Sequence, residues 1–359
     1  MLTSDQNRKI NEIVEEFKEA ADFYRMEYSE DLMGMFRDFG CMLLLKCKVD
    51  TEGKADLERL LEGRHKLKGT VKRQLMTVSE ELAQLWAPGE QDGSGDTGEY
   101  EGSQNVREMF QTALEEIFHF CLYSKGGKNR YLLPEETAKP LLRLLTFPEG
   151  MMAGNEGLVV LDTQCGAGSA LMAASRYLKN LRLMGYEKDE EMWAAAVIMS
   201  QLSGLEMELH LEDGARADLY ESCDLVISNP VYGTDTIKDE ELIDQLPGEL
   251  KTVRGRYHME LIRSMQALNF DGKAMLIVPN SFLFANRTES MKVRKWLLQS
   301  YSLEAIISLP EDTFMYSGVR SGVMVFSKPF MSGGWEGHTQ RVLYYNLEKQ
   351  EDKEKQQKE

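Results

Sequence analysis

Leu158-Val159-Val160-Leu161-Asp162-Thr163-Gln164-Cys165-Gly166-Ala167-Gly168 is the stretch whose reading decides the fold. Four apolar residues in a row predict a short strand buried on both faces. An acid ends the run, and two glycines one residue apart predict a turn that lets a ligand come close to the backbone. A helical pattern follows from Ser169 to about Leu178. Strand, glycine turn and helix in that order open a doubly wound α/β sheet.

Working outward toward the C-terminus, the alternation continues. Strands are expected at Leu181–Tyr186, Met207–Leu211, Leu225–Ser228, Ala274–Val278, Leu303–Leu309 and Gly322–Phe326. Helices are expected over about Asp189–Leu202, Tyr257–Leu268 and Glu289–Gln299. The fold class is therefore α/β, with a doubly wound, mostly parallel, seven-stranded Rossmann-like sheet. The last two strands have only a loop between them, which predicts an antiparallel edge hairpin. Arg341–Leu347 is a candidate for one more strand, and the tail 348–359 is charged and reads as disordered.

Toward the N-terminus the period is helical. Thr3 or Ser4 caps a first helix with Ile10, Ile13, Val14 and Phe17 on one face. Further helices carry Leu32, Met35, Phe36 and Leu43, then Leu57 to Leu85, then residues 106–123. Ala87 to Ser103 is rich in Gly, Asp, Glu and Ser and reads as a flexible acidic loop, about 87–105 in all. The expected domains are thus an all-helical region 1–124, an α/β domain 125–347 and the tail 348–359. No catalytic cluster is visible in the helical region, which reads as packing or subunit contact.

The 359 residues allow two domains with sizeable cores. No apolar run is long enough to span a bilayer, and Met1–Lys9 lacks the apolar core of a signal peptide. Five cysteines, odd in number and without Cys-x-x-Cys spacing, read as free thiols in a cytoplasmic protein, with no metal site. A net charge of −17 disfavours long-range attraction to nucleic acid, so a nucleic-acid substrate would need a local basic patch or a second subunit.

In an open α/β sheet, ligands bind beyond the carboxyl ends of the strands. Asp162, Gly166, Gly168, Glu187, Asp213 and Asn229 all fall there. Glu187, ending the second strand, is placed to accept hydrogen bonds from a ribose diol, and Asp213 from an adenine amino group. A nicotinamide dinucleotide fits less well. Leu171 stands at the third glycine position of its fingerprint, and Asp162 would repel a pyrophosphate. A carboxylate there suits a cationic ligand such as the sulfonium of S-adenosylmethionine. For this loop alone, a plain strand–helix turn with an ordinary surface acid stays equally open.

Cys223 to Gly233 adds a second constellation. A buried strand stops at Asn229-Pro230, because proline cannot donate to a ladder. An amide, a carbonyl and the Tyr232 ring then stand side by side, a set suited to holding a planar base by its amino group.

With these motifs in order, the sequence resembles the amino-group (N6-adenine) DNA methyltransferases, and within them the modification subunits of type I restriction-modification systems. The match runs over roughly residues 128–328. Asp162, Gly166 and Gly168 correspond to the family's Asp-x-x-x-Gly-x-Gly adenosylmethionine loop. Glu187 corresponds to its ribose acid, and Asp213 to its adenine-binding acid. Asn229-Pro230-Val231-Tyr232 corresponds to its Asn-Pro-Pro-Tyr/Phe catalytic loop. Tyr131 to Glu136 resembles a Tyr-x-Thr-Pro segment that touches the cofactor, which makes Tyr131 and Pro134 cofactor-binding candidates. Gly272–Pro279, and Arg294 through Val319, continue the likeness. Val231 stands where the family has a second proline, and Leu133 where it has a threonine.

The resemblance implies an adenine-specific, site-specific DNA methyltransferase with S-adenosylmethionine as cofactor. Asn229, Pro230 and Tyr232 are then catalytic: two acceptors orient the adenine N6 and the ring stacks on the base. DNA is the implied substrate and a specificity subunit the implied partner; a restriction subunit and a second copy of the chain are further partner candidates, and no membrane is involved. A methyltransferase acting on RNA or protein glutamine, and a weakly active or inactive scaffold, remain alternatives. Lys251, Arg254 and Arg256 follow the catalytic loop and are expected at DNA. His119 and His258 stand alone and read as packing or surface residues, while His65 lies in a basic run, Arg64–Lys68 with Lys72-Arg73, that reads as a solvated helix face ahead of a phosphate contact.

Overall fold

The computed structural model describes residues 2–28, 31–49, 55–62, 67, 69–86, 97–124, 132–145, 157–220, 222–232, 235–314, 319–329 and 341–347. It divides into two compact units, one of residues 1–130 with 194–206, the other of residues 131–193 with 207–359.

The first unit begins with α1 (Ser4–Glu27), α2 (Met33–Lys46), α3 (Ala55–Glu62), α4 (Gly69–Leu85) and α5 (Thr97–Leu122). Thr3 closes a reciprocal capping box with Gln6, an arrangement worth about 1 kcal/mol. Ile10, Ile13, Val14 and Phe17 are buried, as their spacing predicts. The ring of Phe17 meets that of Phe39 edge-on, with 5.0 Å between centroids. Helix α5 starts at Thr97, well before the expected residue 106, because a helix nucleated by its packed portion propagates into polar sequence. Residues 97–105 of the expected flexible loop thus belong to α5, while 87–96 lie outside the described residues, as do His65 and the tail 348–359.

The second unit begins with α6 (Glu135–Arg143), which the sequence reading did not anticipate, then β1 (Leu158–Asp162), α7 (Ser169–Tyr177) and β2 (Leu181–Glu187). Helix α8 (Glu190–Ser203) is buried on all sides from Met192 to Ser200, and residues from Ala194 onward count with the helical unit. A methyl group at Gly40 of α2 would overlap the Ile198 side chain, so this pair needs the glycine. The sheet continues with β3 (Met207–Leu211), β4 (Cys223–Ser228), the short α9 (Glu240–Asp244), α10 (Arg256–Gln266), β5 (Leu268–Pro279), α11 (Asn280–Phe284), α12 (Thr288–Ser300), β6 (Ser302–Ser308), β7 (Ser321–Ser327) and β8 (Leu343–Asn346).

The strand order is β3-β2-β1-β4-β5-β7-β6-β8. The first five strands in that order are parallel. Strand β7 runs antiparallel between β5 and β6, and β8 adds parallel outside β6. The sheet therefore has eight strands where seven were expected, with Arg341–Leu347 supplying the eighth. The β6–β7 pair is antiparallel as expected, but β8 occupies the edge beyond it. Strand β5 starts six residues before the expected Ala274. Its register against β4 slips between Cys223 and Leu225, and Asp271 takes φ 62° there, so Asn269–Gly272 reads locally as a turn while remaining in the strand. Strand order reverses between β1 and β4, which places a crevice at their carboxyl ends. Among the described residues, no helix is long and apolar enough to cross a membrane.

Candidate active site

The site begins where β1 ends. Asp162 is 2 % exposed and its Oδ1 accepts from the Gln164 amide at 3.0 Å. Gly166 and Gly168 both take positive φ, 55° and 78°, which residues with a Cβ adopt only under strain. Gly168 caps α7, whose exposed amides face the turn.

Glu187 closes the turn from β2. Its carboxylate accepts from the Gly166 amide at 2.9 Å and from the Asp189 amide at 2.7 Å. Backbone bonds from Cys165 to Tyr186 and from Glu212 to Glu187 carry the ladder past the strand ends. Gly214 then slips beneath Thr163 and Tyr186, where any side chain would overlap the Thr163 carbonyl. Burial pushes Asp162 up to about 7, with Glu187 adding in the same direction against the Gln164 hydrogen bond. Burial also raises Glu187, opposed by its bonds to the Asp189 and Gly166 amides. Among the described residues, no lysine or arginine pairs with either acid.

Asp213, beyond β3, sits in the opposite environment. Its Oδ1 accepts from the Ala215 amide at 3.2 Å, and its Oδ2 receives Arg256 Nη2 at 3.0 Å. Burial pushes its pKa up, but the Arg256 hydrogen bond and charge outweigh it and hold it below the usual carboxylate range. Arg256 also donates to Glu260 at 3.0 Å. Arg216 pairs with Asp239, the cap of α9. Arg256, expected at DNA, is thus turned inward. Lys251 bonds Asp244, and Arg254 donates to the carbonyls of Lys251 and Val253.

The Asn229–Tyr232 loop leaves β4 beside this group. Pro230 is buried, Asn229 and Tyr232 half-buried, and Val231 exposed. Among the described residues, no hydrogen bond reaches the Asn229 amide. The Tyr232 ring lies edge-on to Tyr257 of α10 at 5.7 Å, and its hydroxyl bonds Ser321 at 3.3 Å. Beneath the loop runs a chain of hydroxyls: Thr163 and Ser228 both meet Ser264 of α10, and Ser228 reaches Gln164 Oε1. Gln164 Nε2 is buried without a hydrogen-bond partner among the described residues.

Pro134 caps α6 in extended conformation, and the preceding Leu133 amide donates to Ser169 Oγ at 3.2 Å, which holds this segment against the first turn of α7. Leu133 itself is buried. Tyr131 lies outside the described residues. The structure therefore gathers Pro134, Asp162, Gly166, Gly168, Glu187, Asp213, Asn229, Pro230 and Tyr232 along one edge of the sheet. Sequence reasoning missed the face of α10: Tyr257, Glu260, Arg263 and Ser264. The i, i+4, i+8 spacing of Arg256, Glu260 and Ser264 was the available signal. His258 bonds Ser290 at 2.9 Å, in keeping with a packing role.

The chain is 24% identical over 298 residues to the type I restriction enzyme MjaVII methylase subunit of Methanocaldococcus jannaschii, covering 76% of this chain and 47% of that protein. It is 26% identical over 213 residues to the type II restriction enzyme and methyltransferase RM.BcgI of Heyndrickxia coagulans, covering 54% and 31%. The chain thus spans less than half the length of these curated relatives. Among solved structures, one assigned as a class I S-adenosylmethionine-dependent methyltransferase from Listeria monocytogenes superposes with a TM-score of 0.65 at 18% identity, covering 95% of this chain and 93% of that one. The model of the N-6 DNA methylase family matches residues 107–359, and the chain belongs to that family.

Proposed function

We propose that the chain is an S-adenosylmethionine-dependent DNA adenine-N6 methyltransferase of the modification-subunit type, with target choice supplied by a separate specificity subunit. One observation carries the reading: two carboxyls, Asp162 buried and Glu187 half-buried, unanswered by any cation among the described residues, meet a glycine turn beside the Asn229 loop. Buried acids with raised pKa values and no positive partner mark a site built for a ligand. Bound there, S-adenosylmethionine supplies an electrophilic methyl group on a positively charged sulfur.

The chain's own residues do the rest. Glu187, held by two backbone amides, offers its remaining lone pairs to ribose hydroxyls. Asp162 supplies negative charge at the turn, and Asp213 is the acceptor for an adenine amino group. Asn229 Oδ1 and the Pro230 carbonyl each accept a hydrogen bond from the target N6 amino group, which loses one proton to solvent only after the methyl group has been transferred. Those two bonds orient the nitrogen and free its lone pair from the ring, by preorganisation and alignment. Tyr232 stacks on the extruded base, worth ~1–3 kcal/mol against the unstacking of a flipped nucleotide.

The test is transfer of labelled methyl groups to DNA, by the chain alone and with a specificity subunit. Asn229→Ala is expected to lower transfer by about 100-fold or more while leaving donor binding within about twofold. Absence of transfer in every combination refutes the enzymatic reading.

A further inference from the structure

Helix α10 meets the loops after β1, β3 and β4, and Arg256 opens it beside Asp213. Its guanidinium bridges Asp213 and Glu260, the latter only 4 % exposed. Its amide donates to the Asp235 carbonyl at 2.9 Å. That bond, with Ile237 N to Arg254 O at 2.7 Å and the Thr236–Gly255 bridge, closes the segment that follows Tyr232. The next residue, Tyr257, packs on Tyr232, and two turns on, Arg263 donates to the Ala215 and Ala217 carbonyls at 2.9 and 2.8 Å. The backbone after β3 is thus clamped by Arg263, and the Asp213 side chain by Arg256.

The Asp213 carboxylate has two inequivalent oxygens. Oδ2 is taken by Arg256. Oδ1 accepts one bond from Ala215, and a carboxylate oxygen accepts two. A charged partner on one oxygen fixes the plane of the carboxylate and keeps it anionic, so that it accepts hydrogen bonds and cannot donate one. Such a group tells a 6-amino purine, which donates, from a 6-oxo purine, which presents an acceptor.

We propose that Arg256 is a positioning residue for the methyl donor's purine, holding Asp213 so that an adenine-bearing donor is preferred to its 6-oxo counterpart. This rests on the reading of Asp213 as the acceptor for that amino group. The charged groups facing Asp213 are Arg256, Arg216 at 3.8 Å and Lys188, with Glu260 and Asp239 answering the two arginines.

Calorimetry on the full chain, with S-adenosylhomocysteine and S-inosylhomocysteine as probes, tests it. Wild type is expected to prefer the adenosyl compound by about tenfold or more. Arg256→Gln is expected to weaken adenosyl binding about tenfold and bring the two probes within about twofold of each other. Arg256→Lys should restore part of the preference, since one charged bond survives. In an Asp213→Asn background, Arg256→Gln should add nothing. Because Arg256→Gln leaves Glu260 buried and unpaired, the double variant Arg256→Gln/Glu260→Gln guards against loss of fold. A preference unchanged in that folded double variant overturns the proposal alone. Wild type that binds neither probe overturns the donor-site reading and this proposal with it.

Discussion

The carboxyl edge of the sheet has two halves that treat charge in opposite ways. At β1 and β2, the buried Asp162 and the half-buried Glu187 are met only by backbone amides among the described residues, and loss of solvation drives both pKa values up. At β3, β4 and α10, charge is answered inside the protein: Asp213 by Arg256, and Arg256 in turn by Glu260. The first half is unstable as built and gains from a positively charged ligand. The second half is already balanced and works through geometry. Residues of one chemical type, a few strands apart, thus differ by whether a helix from elsewhere in the chain brings an arginine to them.

The largest expected effect breaks this contrast directly. Glu187→Ala removes the charged group proposed to accept two ligand bonds and also releases the Gly166 amide. Hydrogen bonds to charged groups are worth about 1.5–3 kcal/mol each, so donor affinity should fall by about 100-fold or more. Asp213→Ala, whose charge Arg256 already balances, should cost about tenfold. Calorimetry with S-adenosylhomocysteine measures both, and equal losses would erase the distinction between the halves.

The next effect is a pH dependence with opposite signs at Asp162 and Asp213. Asp162 has a folded pKa of about 7 against 3.8 in an open chain. A raised folded pKa means its stabilising contribution is full below the unfolded value and lost as pH rises through about 7. The ligand-free protein should therefore lose up to roughly 2–3 kcal/mol between pH 5 and pH 8 from this group. Asp213 is held low, so its contribution is present above its unfolded pKa and is lost only in acid, as pH falls through its folded value. Unfolding midpoints of wild type and Asp162→Asn at pH 5 and pH 8 check the sign. The variant should flatten the dependence, and a slope common to both proteins would mean Asp162 is not its source.

What could be read along the chain was local. The Leu158–Gly168 strand and turn, the acids that end β1 and β2, and the Asn229-Pro230 stop each declare themselves within a dozen residues, because strand burial, glycine geometry and proline's missing donor act over that range. Arg256 looked like a surface cation because its partner Asp213 lies 43 residues earlier. The placement of β8 beside β6, and of β7 between β5 and β6, depends on pairings across long separations that periodicity does not encode. The early start of β5 was hidden by Asn269-Phe270-Asp271-Gly272, a turn-like sequence absorbed as a register slip.

The smallest effect tests whether the balanced half works by shape alone. Val231 replaces the second proline of the family's loop, is 43 % exposed, and its amide makes no hydrogen bond among the described residues. Its φ is not positive, so nothing in the backbone's hand opposes proline. Val231→Pro would restrict Pro230 to the extended region and reduce the freedom of the unfolded chain, a gain of about 0.4–1 kcal/mol in stability. The acceptors proposed for N6 are the Asn229 amide and the Pro230 carbonyl, which the substitution leaves in place, so methyl transfer should change by no more than about twofold. Thermal unfolding and single-turnover transfer measure the two quantities separately. A tenfold rise in transfer would mean that loop stiffness limits the reaction and that packing of Tyr232 on Tyr257 does not by itself preorganise the acceptor half. A tenfold fall would mean that the Val231 amide donates to the substrate, giving this half a contact that its charge balance does not reveal.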